Sequence, residues 1–437
     1  MEELSKILPF SAGIDIGSEK VFVALPGKPV TSFRTFTASY RELGVYLKEN
    51  NITHVAMEAT GVYWITLFDI LEELGFDVTL VNPADSKNLP GRKTDVQDCQ
   101  WIQQLFSYGL LRKSFVPEDI IRKLRVFARM RDDKLEMAGS HIRHMQKALI
   151  QMNIRLPEVL SQVHGVSGMK MIKAILSGER NSNNLLQHCT QELIKRKGAD
   201  ILLALEGNYK EEYLFELQQA HDGYFFYLKQ VEECDIQIGE ILHEFANKTG
   251  NKYEDDNLIK TIRHNKPNIK NLHQLLLDIH NANPTTLPGL TDYNLMKLTA
   301  ELGNNIQQWP NVKCFVSWLG LAPGKNQSGK MNKRSRKRKN TTRAGQIFKE
   351  AAQTIMLSKK IGLGVFARKL KSRRGPAIAI KATARKLAQL YYNIFDKGLA
   401  YVEKGIELYE QQTKIRELKY LKRKALENNL ILIPNTL

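Results

Sequence analysis

An aspartate in the middle of an apolar strand constrains this chain more than any other feature. The stretch "AGIDIGSEKVFVAL" (12–25) reads as two strands turning at Gly17-Ser18, and Asp15 stands between Ile14 and Ile16 on the first. A carboxylate on a central strand is costly unless it binds something. The fold must therefore bring a ligand or partners to Asp15. The flanking sequence supplies the elements to do so. "VTSFRTF" reads as a third strand, "YRELGVYLKEN" (40–50) as a helix, "HVAMEAT" (54–60) as a strand, and "GVYWITLFDILEELG" (61–75) as a helix with a glycine C-cap. "DVTLVNP" (77–83) is a further strand stopped by Pro83, and a helix starts at Asp95. This order predicts a mixed α/β domain with a central sheet.

Three more acids are placed to join Asp15. Glu58 ends the strand "HVAME", beside which Asp15 can lie. Asp95 and Asp98, in "GRKTDVQDCQ" (91–100), share a helix face because they are three apart. The bland reading of that stretch is capping. Thr94 and Gln97 have capping-box spacing, and early acids suit the helix dipole. Capping and ligation are compatible, since Thr94 can cap while both aspartates face a metal. Four converging carboxylates suit hard cations, Mg²⁺ or Mn²⁺, which prefer oxygen. Two such ions roughly 4 Å apart would clamp the attacking and leaving oxygens of a phosphodiester. That arrangement is ribonuclease-H-like. "GIDIGSEKVFVAL" also resembles the first phosphate loop of actin-like ATPases and sugar kinases, but that fold needs a second Asp-x-Gly loop and a Gly-Gly adenosine motif on a second sheet, and the second half of this chain reads as helices.

Charge is segregated along the 437 residues. Residues 1–115 hold 11 Lys/Arg against 14 Asp/Glu, residues 116–311 hold 24 against 25, and residues 312–437 hold 29 against 7. A positive charge confined to one third is the footprint of a polyanion, most often nucleic acid. Its densest part, "GKNQSGKMNKRSRKRKNTTR" (324–343), has nine Lys/Arg and no acid. Four scattered cysteines without a CxxC pair argue against zinc and fit reduced thiols in a cytoplasm. No apolar run reaches membrane-span length, and the N-terminus lacks signal-peptide character. Stretches 117–155 and 206–247 are long, amphipathic and helical, as expected of an antiparallel coiled-coil arm that oligomerises. Residues 248–282 are polar and weakly patterned, which marks a boundary. "LPGLTDYNLMKLTAELG" (287–303) is a Pro-Gly turn leading into a helix. "CFVSWLGLAPG" (314–324) predicts an apolar helix, and helices resume at "AGQIFKEAAQTIML" and "AIAIKATARKLAQLYYNIF".

With "DIG", "MEATG", "KTDVQD", "LPG", "SWLGLAPGKNQSGK" and "ATARKLAQLYYNIF" together, the chain resembles the DEDD transposases of bacterial insertion sequences, relatives of the Piv DNA invertase. These recombinases are guided by a structured bridge RNA. The resemblance spans roughly 11–155 and 206–395. It implies a RuvC-like domain over 1–116 with Asp15, Glu58, Asp95 and Asp98 as catalytic metal ligands. It further implies an oligomerising helical arm and insertion over 117–282, a mainly α transposase domain over 283–395, and a helical tail over 396–437. Ser328 would be a serine nucleophile forming a seryl–DNA link. Where the family has Ser-Gly-Gly-Lys, this chain has Ser328-Gly329-Lys330. The implied partners are donor and target double-stranded DNA, guide RNA and further copies of the chain, dimer to tetramer, in a bacterial cytoplasm at the nucleoid. The alternatives are a junction-resolving metal nuclease and a non-catalytic nucleic-acid-binding protein.

Nucleic acid is expected to meet Lys325, Lys330, Lys333, Arg334, Arg336, Lys337, Arg338, Lys339 and Arg343. Neutralising several of them should weaken binding and flatten its salt dependence, by about 0.9 in the log–log slope for each duplex phosphate that is no longer neutralised. An unchanged slope in a salt titration would return the run to a solvated surface.

Overall fold

A computed structural model describes residues 6–82, 94–255, 257–323, 340–358, 361–431 and 433, together with the backbone alone of 327–328 and 331–332. The chain forms two compact units, Met1–Pro117 and Glu118–Leu437.

The first unit is built on a five-stranded sheet. Its strands are β1 (Ser11–Ile16), β2 (Lys20–Ala24), β3 (Thr31–Arg34), β4 (His54–Glu58) and β5 (Asp77–Val81), in the order β3-β2-β1-β4-β5. β1 to β3 form an antiparallel meander, while β4 and β5 run parallel to β1 and to each other. Helices α1 (Thr37–Glu49) and α2 (Trp64–Glu73) make the crossovers, and α3 (Asp95–Ser107) follows β5. The element order agrees with the sequence reading, but some elements are shorter. β4 stops at Glu58, and α2 starts only at Trp64, after Gly61 takes a positive φ of 56°.

Both faces of the central strands are buried, as parallel sheets require. Ile14, Met57, Leu43, Leu47, Leu67 and Leu71 form one core. On the opposite face Ala56 and Val81 pack against Ile102 and Phe106 of α3. Side chains alternate along a strand. Asp15 therefore shares the α3 face with Gly13, and Glu58 shares it with Ala56. Ile14 pairs with Met57, so one step further along both strands sets Asp15 beside Glu58.

The second unit is helical among its described residues, apart from one short hairpin. Its longest elements are α4 (Asp119–Gln151) and, after α5 (Leu156–Val159), α6 (Val166–Leu176), α7 (Ser182–Leu186) and α8 (Gln191–Ala204), the helix α9 (Glu211–Thr249). Ion pairs Glu118–Lys248 (3.2 Å), Arg131–Asp235 (2.6 Å) and Lys147–Glu216 (2.9 Å) fix α4 and α9 as an antiparallel pair. The four shorter helices close one end of that pair over a separate core containing Leu149, Ile172, Ile175, Ile201 and Leu217.

The rest of the unit comprises α10 (Leu272–His280), α11 (Asp292–Leu302), α12 (Val312–Trp318), a hairpin of β6 (Gln327–Ser328) and β7 (Met331–Asn332), α13 (Arg343–Leu357), α14 (Gly362–Arg374), α15 (Pro376–Lys397) and α16 (Leu399–Glu427). Three features depart from expectation. The weakly patterned 248–282 contains α10. The helix expected over 314–324 ends at Trp318, because Gly320 turns with φ +72° where a Cβ would lie 2.3 Å from the Asn340 carbonyl oxygen. Helix α14, rich in basic residues and opening on two glycines, has too little apolar periodicity to be seen in the sequence.

A buried ion pair ties this unit together. Arg131, 1% exposed, donates to Asp235 (2.6 Å) and to the Asn265 carbonyl (3.1 Å), while Asp235 accepts from the Asn268 amide (3.0 Å). The guanidinium lies 5.0 Å from the Tyr293 ring centre, and the Tyr293 hydroxyl bonds Asp132 at 2.9 Å. One residue thus links α4, α9, the segment after α9 and α11. Removing one partner of a buried pair strands the other's charge. Arg131→Leu should destabilise the protein by about 3–5 kcal/mol in urea unfolding, and Arg131→Leu/Asp235→Leu should recover most of that loss. Equal stability of the single and double variants would refute the coupling.

Candidate metal centre

The four acids reach one place through two devices. The first is register, which sets Asp15 and Glu58 side by side on the α3 face. The second is a glycine. A Cβ built on Gly13 would lie 2.3 Å from the Gln103 amide nitrogen and 2.4 Å from the Cys99 carbonyl oxygen. Only glycine at 13 lets the α3 backbone rest on the central strand. Gln103 adds a buried bond from Nε2 to the Ser11 carbonyl (3.3 Å). The N-terminal turn of α3 is then held over the end of β1. Thr94 caps it as expected, its hydroxyl oxygen accepting from the Gln97 amide at 3.4 Å, and Asp95 and Asp98 occupy that first turn.

The electrostatics register the convergence. Glu58 is buried, Asp15 and Asp98 are half-buried and Asp95 is exposed. Burial, then the charges of Glu58, Asp95 and Asp98, push the Asp15 carboxyl up from 3.8 to about 6, against a backbone hydrogen bond at Ile16 that lowers it. All three other acids thus repel Asp15. The neighbouring Cys99 thiol is buried, donates to the Val96 carbonyl at 3.1 Å, and is pushed up to about 12, first by burial and then by Asp15. A thiol in that state is not a nucleophile. Among the described residues, no three His, Cys, Asp or Glu side chains are already clustered tightly enough to chelate an ion. The donor set nevertheless fits a hard divalent cation: it is all carboxylate, three of its charges act on Asp15, and Asp95 leaves it open to solvent.

The other expected site residues belong to the second unit. Ser328 lies in β6, its backbone paired with Met331. Arg343 is exposed at the start of α13, behind Thr342, whose hydroxyl oxygen accepts from the Gly345 amide at 3.1 Å. Lys325, Lys330, Lys333, Arg334, Arg336, Lys337, Arg338 and Lys339 lie outside the described residues. Sequence reasoning missed Gly13 and Gln103, which position the acids without ligating. A glycine inside a strand was the available signal for the first.

A β3-β2-β1-β4-β5 sheet with one acid on its central strand, one at the end of the adjacent strand and two on the next helix is consistent with the class of DEDD, RNase H-like domains. Two family models bear on the particular family: a DEDD transposase model of IS110 elements matches residues 12–154, and one described as "Transposase IS116/IS110/IS902 family" matches residues 283–363. The chain belongs to the IS110-family transposases. No curated protein matches it. The family implies DNA binding, DNA strand transfer and the use of a divalent metal, typically Mg²⁺. No helix among the described residues is long and apolar enough to cross a membrane.

The raised Asp15 pKa has a thermodynamic consequence. The folded chain holds that proton more tightly than the unfolded one, so in EDTA this group's penalty is absent below pH 3.8, grows from there through about 6, and is complete above. At neutral pH in EDTA, Asp15→Asn should therefore melt higher than the wild type, with the gap closing near pH 4. Mg²⁺ should raise the melting temperature of the wild type and not of Asp15→Asn. Equal Mg²⁺ responses in calorimetry would remove Asp15 from the ligand set.

Proposed function

We propose that this transposase is a site-specific recombinase that cuts and rejoins DNA through a seryl–DNA intermediate, guided by a structured RNA. The observation that carries the reading is the convergence of Glu58, Asp95 and Asp98 on Asp15. Asp15, Glu58, Asp95 and Asp98 hold Mg²⁺ or Mn²⁺. Bound there, the cation supplies charge neutralisation at a scissile phosphate. Ser328 is the nucleophile. Its Oγ forms a bond to phosphorus as the bond from phosphorus to a sugar oxygen breaks, and the hydroxyl proton ends on that departing oxygen. The phosphodiester energy is stored in the seryl ester, so rejoining needs no ATP. The charge of residues 312–437 supports the polyanion reading, with Lys325, Lys330, Lys333, Arg334, Arg336, Lys337, Arg338, Lys339 and Arg343 meeting phosphates of DNA or RNA.

The division of labour follows the sequence reading: a RuvC-like catalytic domain over 1–116, an arm and insertion over 117–282, a transposase domain over 283–395 and a tail over 396–437. The paired α4 and α9 support the arm's role in joining copies into a dimer or tetramer. The working location is the bacterial nucleoid.

The test separates this reading from a hydrolytic metal nuclease, in which water attacks. Asp15→Asn, Glu58→Gln, Asp95→Asn and Asp98→Asn should each abolish recombination while DNA binding persists. Ser328→Ala should bind DNA but form no covalent adduct and no recombinant, whereas Ser335→Ala should form both. Denaturing electrophoresis of protein on labelled substrate reads the adduct. A shifted band persisting in Ser328→Ala would move the nucleophile elsewhere, and wild-type cleavage without any shifted band would establish the nuclease.

A further inference from the structure

The segment between the two family matches, residues 155–282, carries a surface that the chemistry at the acids and Ser328 does not use. At the closed end of the helix pair, α6 and α9 flank an open pocket of about 680 Å³. Met169, Lys170 and Lys173 line it from α6. From α9 come Asp222, Phe225, Phe226 and Lys229, spaced so that they share one face of that helix, together with His221. Phe225 and Phe226 are 47% and 56% exposed, unusual for two adjacent phenylalanines on a helix that has a partner. The His221 ring packs on Phe225 with centres 4.9 Å apart and steadies it.

Charge decides what fits. Lys170, Lys173 and Lys229 are in no ion pair among the described residues. Among the described residues Asp222 is the one acid lining the pocket, and it is engaged: its oxygens accept from Gln218 at 2.7 and 2.8 Å, and it pairs with His221 at 3.1 Å. The pocket is thus aromatic at its lip and net positive. A two-fold contact with a second copy would bring the same three lysines against themselves. Flat aromatic faces beside unpaired lysines suit a chain of flat bases joined by phosphates. We propose that this pocket docks single-stranded nucleic acid, with bases stacking on Phe225 and Phe226 and phosphates meeting Lys170, Lys173 and Lys229. The proposal rests on the nucleic-acid partner that the family implies and is independent of a seryl intermediate.

The experiment uses the full chain in EDTA, so that no cleavage occurs and a failure at Ser328 leaves it untouched. Binding of labelled oligouridine, oligothymidine and a duplex of the same length is followed by anisotropy. Phe225→Ala/Phe226→Ala should weaken binding of a single strand by about fivefold or more and leave the duplex unchanged. Phe225→Trp/Phe226→Trp should restore it, which excludes a folding defect. Lys170→Ala/Lys173→Ala/Lys229→Ala should make the single-strand salt slope shallower by about 2. The variant's effect on oligouridine against oligothymidine tells whether the strand is RNA or DNA, and an effect on either supports the site. Unchanged single-strand affinity in the alanine pair would overturn the proposal. So would light scattering showing that the alanine pair loses self-association and not binding, since the surface would then be a protein contact.

Discussion

The missing side chain at Gly13 is the constraint on which the candidate site depends. With any Cβ there, the α3 backbone at Cys99 and Gln103 would have to lift away from the central strand. The first turn of α3 would lift with it, and Asp95 and Asp98 would leave the neighbourhood of Asp15. The acids are thus positioned by backbone against backbone, which is stiffer than side-chain packing and leaves the carboxylates free to ligate. The Thr94 cap and the bond from Gln103 to the Ser11 carbonyl hold the same helix at both ends of that close approach.

Gathering four negative groups opposes folding, and Asp15 bears the effect in its raised pKa. The structure concentrates this cost in one turn of helix and two strand ends. The surrounding unit is otherwise well packed, with an apolar core on each face of the sheet. In the second unit the logic is reversed. There a single buried pair, Arg131–Asp235, joins four segments, and the net positive charge lies toward the C-terminus. The acidic cluster and the basic surplus thus fall on different stretches of the sequence.

Much of this was legible in the sequence. Asp15 declared itself because an acid between two isoleucines on a strand demands a reason, and Glu58 because its strand ends on it. The spacing of Asp95 and Asp98 gave a shared helix face, and Thr94 gave the start of that helix. The antiparallel pair was legible from sustained amphipathic periodicity. What escaped were features that act through backbone or through polar residues. Gly13 has no side chain to pattern. Helix α10 sits in a stretch whose polar residues bond the surrounding backbone, as Asp278 does with the Tyr253 amide at 3.0 Å. Helix α14 is too basic for a stripe, and the early end of α12 depends on the Asn340 carbonyl, twenty residues beyond Gly320. Ser328 carried no signal of its own beyond a glycine-rich basic loop, and the role proposed for it rests on the family resemblance alone.

The direct measurement is an electron paramagnetic resonance titration of Mn²⁺ into the full-length protein. A cation held by the converging carboxylates should give saturable Mn²⁺ binding at neutral pH, with competition by Mg²⁺. Binding should weaken as pH falls through about 6, where Asp15 takes up its proton, and it should be lost in Asp15→Asn and in Asp98→Asn. Mn²⁺ binding of equal strength and stoichiometry in both variants would contradict the site.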